Sequence, residues 1–232
     1  MIPIIRCIAY FDSDGVDLRN KRDMRLLPRF PELGEIHKNV KDKCILDGEL
    51  FVLKNGITDF YAVQRRTMMT DQFKIRLAAS KNPASFVAYD IIYYKNKLVT
   101  DLPLIERKEL LQNVVEENER IAVSRYIEND GVQLFELAKA QKLEGVVAKK
   151  KTSKYWFDKR SKDWIKFKVL DSEDFVLCGY ILKPNNRTSF IIGQYDGDKL
   201  IYKGHVTLGV YLRVLNQHRY VIRNSSPFGY YA

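Results

Sequence analysis

The sequence predicts an α+β fold in which antiparallel sheets are flanked by helices and followed by a separate β unit. Short turn sequences join β-prone runs at the start of the chain, which is typical of antiparallel hairpins. Segments between residues 62 and 142 space their apolar side chains at helical intervals. Beyond residue 171 the chain holds short strand-like runs separated by turns, so a second, all-β unit is expected there.

Two hairpins are predicted at the start of the chain. Residues 6–11 and 17–19 flank the turn sequence DSDG. Residues 44–53 and 58–61 flank a turn that contains Asn55-Gly56, a pair that readily adopts the positive φ angles of a tight hairpin turn. These β-prone runs therefore predict paired antiparallel strands.

The middle of the chain is predicted to alternate helices with strands. Apolar residues at helical spacing predict an amphipathic helix over residues 62–80, and the apolar run 86–94 predicts a buried strand. Pro103 suits the first turn of a helix that continues to about residue 115. Three elements follow in order: a helix over 131–142 and strands over 144–150 and 164–169.

The predicted domain boundary lies near residue 170, where the character of the sequence changes. Residues 171–232 contain the alternating runs DFVLCGYI, SFIIGQYD and KLIYKGHV, separated by Pro184-Asn185-Asn186 and Asp196-Gly197. These runs supply three or four strands, too few to close a five-stranded barrel. We therefore expect domains at 1–170 and 171–232, of which the second is an incomplete β-barrel.

Composition and charge exclude several classes of protein. With 46% hydrophobic and 29% charged residues, the 232-residue chain can bury a core and is not disordered. Its longest apolar run, residues 86–94, is interrupted by Asp90 and is shorter than the ~20 residues of a membrane-spanning helix. The first residues do not resemble a secretory leader, so a cytoplasmic protein is expected. Three widely separated cysteines and three histidines favour neither a zinc site, a disulfide framework nor a Ser/His/Asp triad.

Positive charge is concentrated in one segment of the sequence. The whole chain carries a formal net charge of +10, and residues 138–170 hold eleven Lys or Arg against three acidic residues. Four aromatic residues are interleaved with these cations: Tyr155, Trp156, Phe157 and Trp164. The combination favours binding to a phosphate backbone and to bases or riboses. The alternative is a solvated basic surface above aromatic residues of the core.

The sequence motifs are short strings at strand-like positions, and they include no phosphate loop or Rossmann glycine motif. In order they are LDGEL (46–50), FVAYDII (86–92), EGVVAKK (144–150) and WIKFK (164–168). The last belongs to a longer run, SKYWFDKRSKDWIKFK. In this order and spacing the strings resemble the motifs of the covalent nucleotidyltransferases. The resemblance is closest to the ATP-dependent DNA ligases, specifically the ligase module of bacterial non-homologous end joining.

The resemblance implies a fold, a reaction and a set of partners. The expected fold is a nucleotidyltransferase (adenylation) domain without its first strands over 1–170, followed by a partial oligonucleotide-binding (OB) fold over 171–232. The family joins nicks or breaks in double-stranded DNA, using ATP, a lysine–AMP intermediate and Mg²⁺ or Mn²⁺. A monomer in the bacterial cytosol or nucleoid, acting on DNA with end-joining proteins and without a membrane, is therefore expected.

Two carboxylates and two lysines are implied as part of the site. Glu49 and Glu144 match the motif carboxylates of the family, whose hard oxygen atoms suit Mg²⁺, and Glu49 also suits the ribose hydroxyls. Lys166 and Lys168 alternate along a predicted strand, so both point to one face, where two cations would neutralise an α-phosphate. The alternatives are ordinary strand-end carboxylates and a half-solvated strand edge.

Three arginines and one aromatic residue complete the implied nucleotide site. Arg6 matches the arginine that closes the first motif of the family, and Arg19 matches the arginine after the first hairpin; both would contact ribose or phosphate. Arg160 is a further candidate for nucleotide or DNA phosphate, with exposure to solvent as its alternative. Phe86 corresponds to the aromatic residue that stacks on adenine, although a phenylalanine in an apolar run equally suits the core.

The nucleophile of the family is not found at its expected position. The first motif runs Lys-x-Asp-Gly-x-Arg, and alignment on Arg6 places its lysine on Met1. The final motif of the family, which binds pyrophosphate, would lie beyond Ala232. We therefore expect weak sealing of nicks that already carry AMP, and no self-adenylation. The alternatives are a catalytically inert nucleic-acid-binding module and an RNA ligase or capping-type nucleotidyltransferase.

Overall fold

The computed structural model describes residues 5–54, 57–141, 143–159, 161–169, 173–183 and 187–208. Contacts divide the chain into two compact units, Met1–Val169 and Leu170–Ala232. The elements confirm the predicted α+β class, with antiparallel sheets and flanking helices in the first unit and strands in the second.

The centre of the first unit is a mixed sheet of seven strands within the described residues. Its strands are β1 (Ile5–Phe11), β2 (Val16–Asn20), β3 (Cys44–Lys54), β4 (Ile57–Thr58), β5 (Ala84–Tyr94), β6 (Lys97–Leu98) and β7 (Ile121–Val123). The main path runs β2-β1-β3-β5-β6, with β4 paired to β3 and β7 paired to β5. All of these pairs are antiparallel except β5–β7. Both predicted hairpins are therefore confirmed, although Asn55-Gly56 itself lies outside the described residues.

The helices of the first unit are α1 (Phe60–Thr67), α2 (Gln72–Lys81), α3 (Leu104–Val114) and α4 (Gly131–Ala140), as far as the described residues show. The prediction of one helix over 62–80 is wrong, because the chain breaks between α1 and α2. The Asp71 carboxylate accepts hydrogen bonds from the backbone N–H groups of Phe73 and Lys74 and so starts a new helix. Asp59 caps α1 in the same way, which ends the strand predicted over 58–61 after Thr58.

Two irregularities interrupt the β3–β5 register, and the one at Tyr89 controls which side chains share a face of the sheet. In the β3–β5 register, Asp47 lies opposite Asp90 and Gly48 lies opposite Ala88, so Tyr89 is an extra, bulged residue. A Cβ atom on Gly48 would lie 2.2 Å from the carbonyl oxygen of Val87, so only glycine permits this approach of the strands. The bulge places Asp90 on the same face as Asp47, while Ala88 remains on the core face.

The core lies beneath the central sheet, with large buried side chains from β3, β5, α3 and the loop before β3. Phe30, Leu50, Phe86 and Leu111 are each almost fully buried in one cluster. The face that carries Asp47 and Glu49 is the opposite face of β3, since side chains alternate along a strand. The core therefore supports the sheet from one side and leaves the other side for polar chemistry.

Two further strands, β8 (Gly145–Lys149) and β9 (Trp164–Lys168), form an antiparallel pair in the first unit. Val147 lies opposite Lys166, and Lys149 lies opposite Trp164. This arrangement confirms both predicted strands. The pair is much more exposed than the central sheet, and only Trp164 of β9 is half-buried.

In the second unit the described strands are β10 (Val176–Lys183), β11 (Arg187–Asp196) and β12 (Lys199–Leu208). They form an antiparallel meander in the order β10-β11-β12, as the alternating runs predicted. The turn predicted at 184–186 lies outside the described residues. A search of the described helices finds none with the length and apolar character needed to cross a bilayer.

Candidate active site

An arginine, an aspartate and a tyrosine form the base of the site on the polar face of β1 and β3. Arg6 Nε and Nη2 donate to the two carboxylate oxygens of Asp47, each at 2.8 Å. Arg6 Nη2 also donates to Tyr155 Oη at 2.9 Å, and Tyr155 Oη donates to Asp47 at 3.0 Å. Asp47 raises the pKa of Arg6 further above its usual value through these hydrogen bonds. The guanidinium is therefore permanently charged and fixed in orientation.

The Arg6 side chain remains open on one side although its partner is buried. It is 60% exposed, whereas the Asp47 side chain is 5% exposed. Among the described residues no acceptor pairs with Arg6 Nη1. Because a guanidinium offers five N–H donors, the free edge can bind an incoming phosphate or hydroxyl oxygen without breaking the Asp47 pair.

Glu49 lies opposite Arg6 in the β1–β3 register, on the same face as Asp47. Burial, followed by the negative charges of Asp47 and Glu144, raises the pKa of Glu49 to about 7, while Lys166 and Lys149 lower it. The carboxylate therefore resists ionisation at neutral pH because the nearby cations compensate its charge only partly. A bound divalent cation would supply the missing positive charge and favour the ionised form of Glu49.

Glu144 and Lys166 form an ion pair between the start of β8 and β9. Lys166 Nζ lies 2.7 Å from Glu144 Oε1, with side-chain exposures of 46% and 16%. Gly145 has a φ of +137°, and a Cβ atom there would lie 2.0 Å from the Phe167 carbonyl oxygen. Glycine is therefore required at this position, and it fixes Glu144 next to β9.

Lys149 brings a third cation to the site. Its Nζ lies 4.0 Å from the centroid of the Trp164 ring and 6.0 Å from that of Tyr89. Burial lowers the pKa of Lys149, an effect that the carboxylates of Asp90 and Asp47 oppose. The ammonium group is thus partly desolvated between two aromatic rings, where its interaction with an anion is stronger than in water.

A buried ion pair lies next to the site, on the same face of the sheet as Asp47. Arg107 donates to both carboxylate oxygens of Asp90, at 2.8 and 3.0 Å, and neither side chain is exposed. Arg107 Nη1 also donates to the carbonyl oxygens of Leu102 and Ser153. Ser153 in turn accepts a hydrogen bond from Trp164 Nε1 at 2.9 Å. The pair therefore connects α3, β5 and the segment that carries Tyr155.

Four of the eight site residues predicted from the sequence converge in this region. The structure brings together Arg6, Glu49, Glu144 and Lys166. Lys168 follows Lys166 on β9, on the same face, and is exposed.

Two of the predicted arginines are not placed against this cluster. Arg19 lies on the outer strand β2, where its guanidinium binds Asp17 and Asp23, each at 2.8 Å. Arg160 lies outside the described residues. Its predicted contact with phosphate therefore stays a prediction.

The structure corrects the prediction for Phe86. This side chain is fully buried in the core, opposite Leu50, and its ring centroid lies 6.5 Å from that of Phe11. No base can stack on a ring enclosed in this way, so the prediction that Phe86 binds adenine is wrong. Tyr89, three residues later in the same motif, is half-buried and lies beside Lys149.

Sequence reasoning missed four residues of the site: Asp47, Tyr89, Lys149 and Tyr155. Asp47, Tyr89 and Lys149 all belong to the motif strings. Membership of the same strings as the predicted residues was therefore a signal that could have identified them. Nothing in the local sequence reveals that Tyr155 contacts Arg6, 149 residues away along the chain.

The acidic side chains of the site are few. No group of three or more His, Cys, Asp or Glu side chains capable of holding a metal ion occurs in the part of the chain that the structure describes. The two carboxylates Glu49 and Glu144 nevertheless fit Mg²⁺ or Mn²⁺, because both offer hard oxygen atoms, and burial followed by neighbouring negative charge raises the pKa of Glu49, a cost that a bound cation would offset. Such an ion would take its remaining ligands from water and phosphate.

Comparisons with known proteins agree with this geometry. Residues 5–168 match the family described as ATP dependent DNA ligase domain. The chain is 30% identical over 197 residues to the SPbeta prophage-derived DNA ligase-like protein LigB of Bacillus subtilis, covering 83% of this chain and 67% of that protein. It is 29% identical over 198 residues to the bifunctional non-homologous end joining protein LigD of the same organism, covering 78% and 32%.

A solved structure shows the same fold. The mycobacterial DNA ligase D complexed with ATP and MES has a TM-score of 0.62 and 22% identity, with coverage of 97% of this chain and 72% of that chain. This chain spans 38% of the length of two curated probable DNA ligases that it also matches, from Dictyoglomus turgidum and Dictyoglomus thermophilum. From the family match over most of the chain, we conclude that this protein belongs to the ATP-dependent DNA ligase domain family.

Proposed function

We propose that this chain acts on nicked DNA and carries out the ligase step in which a nick that already carries AMP is sealed. The observation that supports this most directly is the convergence of Arg6, Lys149 and Lys166 with Glu49 and Glu144 around one polar surface. Three cations and a carboxylate pair suit a reaction at a phosphate, where negative charge moves between oxygen atoms. Family membership supplies the substrate class, an adenylated DNA end.

The chemistry of this step is a displacement at phosphorus. The 3′-hydroxyl oxygen attacks the 5′-phosphorus, the new P–O bond forms, and the bond from that phosphorus to the oxygen of the AMP phosphate breaks. AMP leaves with the bonding electron pair, and the hydroxyl proton passes to solvent. Negative charge therefore grows on the AMP phosphate, where fixed cations stabilise the transition state more than the ground state.

We assign roles to the residues by their position. The free Nη1 edge of Arg6 binds the AMP ribose or phosphate, and Lys166 exchanges Glu144 for a phosphate oxygen. Tyr89 offers the ring on which adenine stacks, in place of the buried Phe86. Glu49 and Glu144 hold Mg²⁺ or Mn²⁺, which when bound neutralises charge on the reacting phosphates.

Three other predicted residues are assigned to DNA phosphates. Lys168 is exposed next to Lys166, and Arg19 lies one strand outward from Arg6. Arg160 falls in the basic segment 138–170, which also contains Lys168. Contacts of this kind position the duplex without reading its sequence. The name of the LigD relative extends the proposal to DNA breaks and to end-joining proteins as partners.

The proposal leaves out self-adenylation. The residue five positions before Arg6 is methionine, whereas the family motif carries its nucleophilic lysine there. A nucleophile must lie about 3 Å from phosphorus and in line with the leaving group, so a lysine elsewhere does not simply replace it. Sealing, in contrast, uses the 3′-hydroxyl of the DNA.

The test is a sealing assay with a nicked duplex whose 5′-phosphate already carries AMP. We expect joined product with Mg²⁺ or Mn²⁺, and a loss of about 100-fold or more in rate for Lys166→Gln, the size of effect seen when one transition-state donor is removed. Lys162→Gln is the matched control, because Lys162 is an exposed lysine of the same segment. Incubation with ATP labelled at the α-phosphate should leave no label on the protein.

Each alternative has its own outcome in this assay. Nick binding with a steep salt dependence but no joined product would favour the inert nucleic-acid-binding module. Faster joining of an adenylated RNA nick than of the DNA nick would favour the RNA ligase. Retained label would show that another lysine acts as the nucleophile, and our restriction to the sealing step would be wrong.

A further inference from the structure

A cavity next to the candidate active site has a lining that the proposed chemistry does not use. It measures about 290 Å³ and is lined by Lys154, Trp156, Lys159, Ser161 and Trp164. This volume is near the lower end of the range for pockets that hold small ligands. The chain contains two tryptophans, and both line this cavity.

Of the two aromatic walls, Trp164 is fixed by a hydrogen bond and Trp156 is exposed. Trp164 Nε1 donates to Ser153 Oγ at 2.9 Å, and the Trp164 ring is also the one that Lys149 approaches at 4.0 Å. Trp164 is therefore shared between the cavity and the candidate active site. Trp156 is 45% exposed, so its ring can receive a ligand without rearrangement of the core.

The charge of the cavity is positive. Lys159 Nζ lies 4.4 Å from the centroid of the Trp156 ring, and none of the described carboxylates forms an ion pair with it. Lys154 binds Asp101 at 2.9 Å, but both side chains are at least half exposed, so this pair is weak and readily replaced. A ligand with an anionic group and a flat π-system satisfies both the ammonium groups and the indole rings.

We propose that this cavity binds one unpaired nucleotide of a DNA strand, with the base against Trp156 and the phosphate at Lys159. The choice of DNA rests on the proposed function, since the chemistry alone specifies a base and a phosphate. An unpaired nucleotide is proposed because a base inside a duplex is already stacked between its neighbours and is not free to enter a cavity of this size. The shared Trp164 places this nucleotide beside the reacting end, as in a break with a single-stranded overhang.

The test uses the two tryptophans as reporters at the cavity. We expect a 5′-phosphorylated oligothymidylate of eight nucleotides to quench tryptophan fluorescence as it binds, because stacking on indole changes its emission. Inorganic tripolyphosphate tests charge alone and should not quench. Base stacking contributes about 1–3 kcal/mol per base, so Trp156→Ala should weaken oligothymidylate binding about fivefold or more, measured by anisotropy of a labelled strand. Trp156→Phe should restore most of the affinity.

The lysine is tested against a neighbour in the same segment. Lys159→Gln should weaken binding and lower its salt dependence clearly more than Lys162→Gln, because Lys162 is exposed in the same segment but does not line the cavity. Equal effects of the two substitutions would show a diffuse basic surface and overturn the cavity site. Equal quenching by tripolyphosphate would show an anion site without base recognition and would overturn the proposal as well.

Two duplexes separate this inference from the proposed function. A nicked duplex without unpaired bases should bind the wild-type protein and Trp156→Ala equally. A duplex of the same length with a 5′ overhang of three thymidines should bind the wild type more tightly than the variant. If the nicked duplex binds and the overhang adds nothing, the cavity proposal fails and the proposed function stands. If neither duplex binds, the proposed function fails.

Discussion

The central sheet and the β8–β9 pair each hold a carboxylate against a cation at nearly the same distance, and the two ion pairs have different consequences. Arg107 Nε lies 2.8 Å from Asp90 Oδ1, and neither side chain is exposed. Lys166 Nζ lies 2.7 Å from Glu144 Oε1, but the lysine side chain is 46% exposed and the glutamate side chain 16%. Distance alone therefore does not define the role of an ion pair. Burial decides whether the pair is fixed or can exchange partners.

The surroundings of the two ion pairs explain why their roles differ. Arg107 also binds two backbone carbonyl groups, lies 5.9 Å from the centroid of the Tyr155 ring and is fully buried, so it supports the site and offers no surface to a ligand. Lys166 stands on an exposed strand and needs to break one solvent-accessible contact to reach a phosphate. In the proposed reaction, the central sheet would supply a fixed support, and β9 would supply an exposed lysine that can exchange its partner.

The largest effect is expected from breaking the buried pair. Arg107→Ala leaves the Asp90 carboxylate buried without its partner, which typically costs 3–5 kcal/mol in the free energy of unfolding. Urea denaturation followed by circular dichroism measures this loss. The double variant Arg107→Met/Asp90→Leu replaces both charges with apolar groups and should recover most of the stability. A loss below about 1 kcal/mol for Arg107→Ala would mean that the pair contributes little.

A smaller, pH-dependent effect is expected at Glu49. Its pKa is raised to about 7 in the folded protein, so the folded state holds the proton more tightly than the unfolded state does. Stability is then lost as the pH rises from about 4.5 through 7, because the buried carboxylate must ionise. Glu49→Gln removes this penalty. After allowance for its partial exposure, we expect the variant to be more stable by about 1–2 kcal/mol at pH 8 and unchanged near pH 4.

Thermal unfolding at pH 4, 6 and 8, with and without Mg²⁺, tests this expectation. Mg²⁺ should stabilise the wild type at pH 8 more than at pH 6, since protons compete with the ion for Glu49, and should stabilise Glu49→Gln less. Glu109→Gln, an exposed position on α3, serves as the control and should behave like the wild type at all of these pH values. A variant that is less stable than the wild type at pH 8 without metal would contradict the raised pKa.

The same contrast explains which parts of the site could be predicted from the sequence. Regular alternation along β9 correctly predicted that Lys166 and Lys168 share a face, because that strand has no irregularity. The same rule applied to β5 places Phe86 and Asp90 on one face. The bulge at Tyr89 separates them, so that Phe86 enters the core while Asp90 faces Asp47. No local sequence signal marks such a bulge.

The sequence contains a signal for the start of α2 that helical spacing alone does not reveal. Asp71 stands before an apolar helical pattern and is a favoured N-cap residue, yet helical spacing on both sides suggested one continuous helix. Contacts distant in sequence are a different case. The hydrogen bond from Arg6 to Tyr155 depends on the tertiary fold, so no reading of either segment alone could find it.

The smallest effect on stability is expected at the exposed pair. Glu144→Gln and Lys166→Gln each remove one charge from a solvent-accessible ion pair, and such pairs contribute about 0.2–1 kcal/mol. Both variants should therefore unfold within about 1 kcal/mol of the wild type in urea, although Lys166→Gln should seal adenylated nicks far more slowly. This combination of retained stability and slow sealing separates function from stability, and it contrasts with Arg107→Ala, for which a large loss of stability is expected. If Lys166→Gln unfolded as readily as Arg107→Ala, the β8–β9 pair would be part of the structural support, and the contrast between the two ion pairs would be wrong.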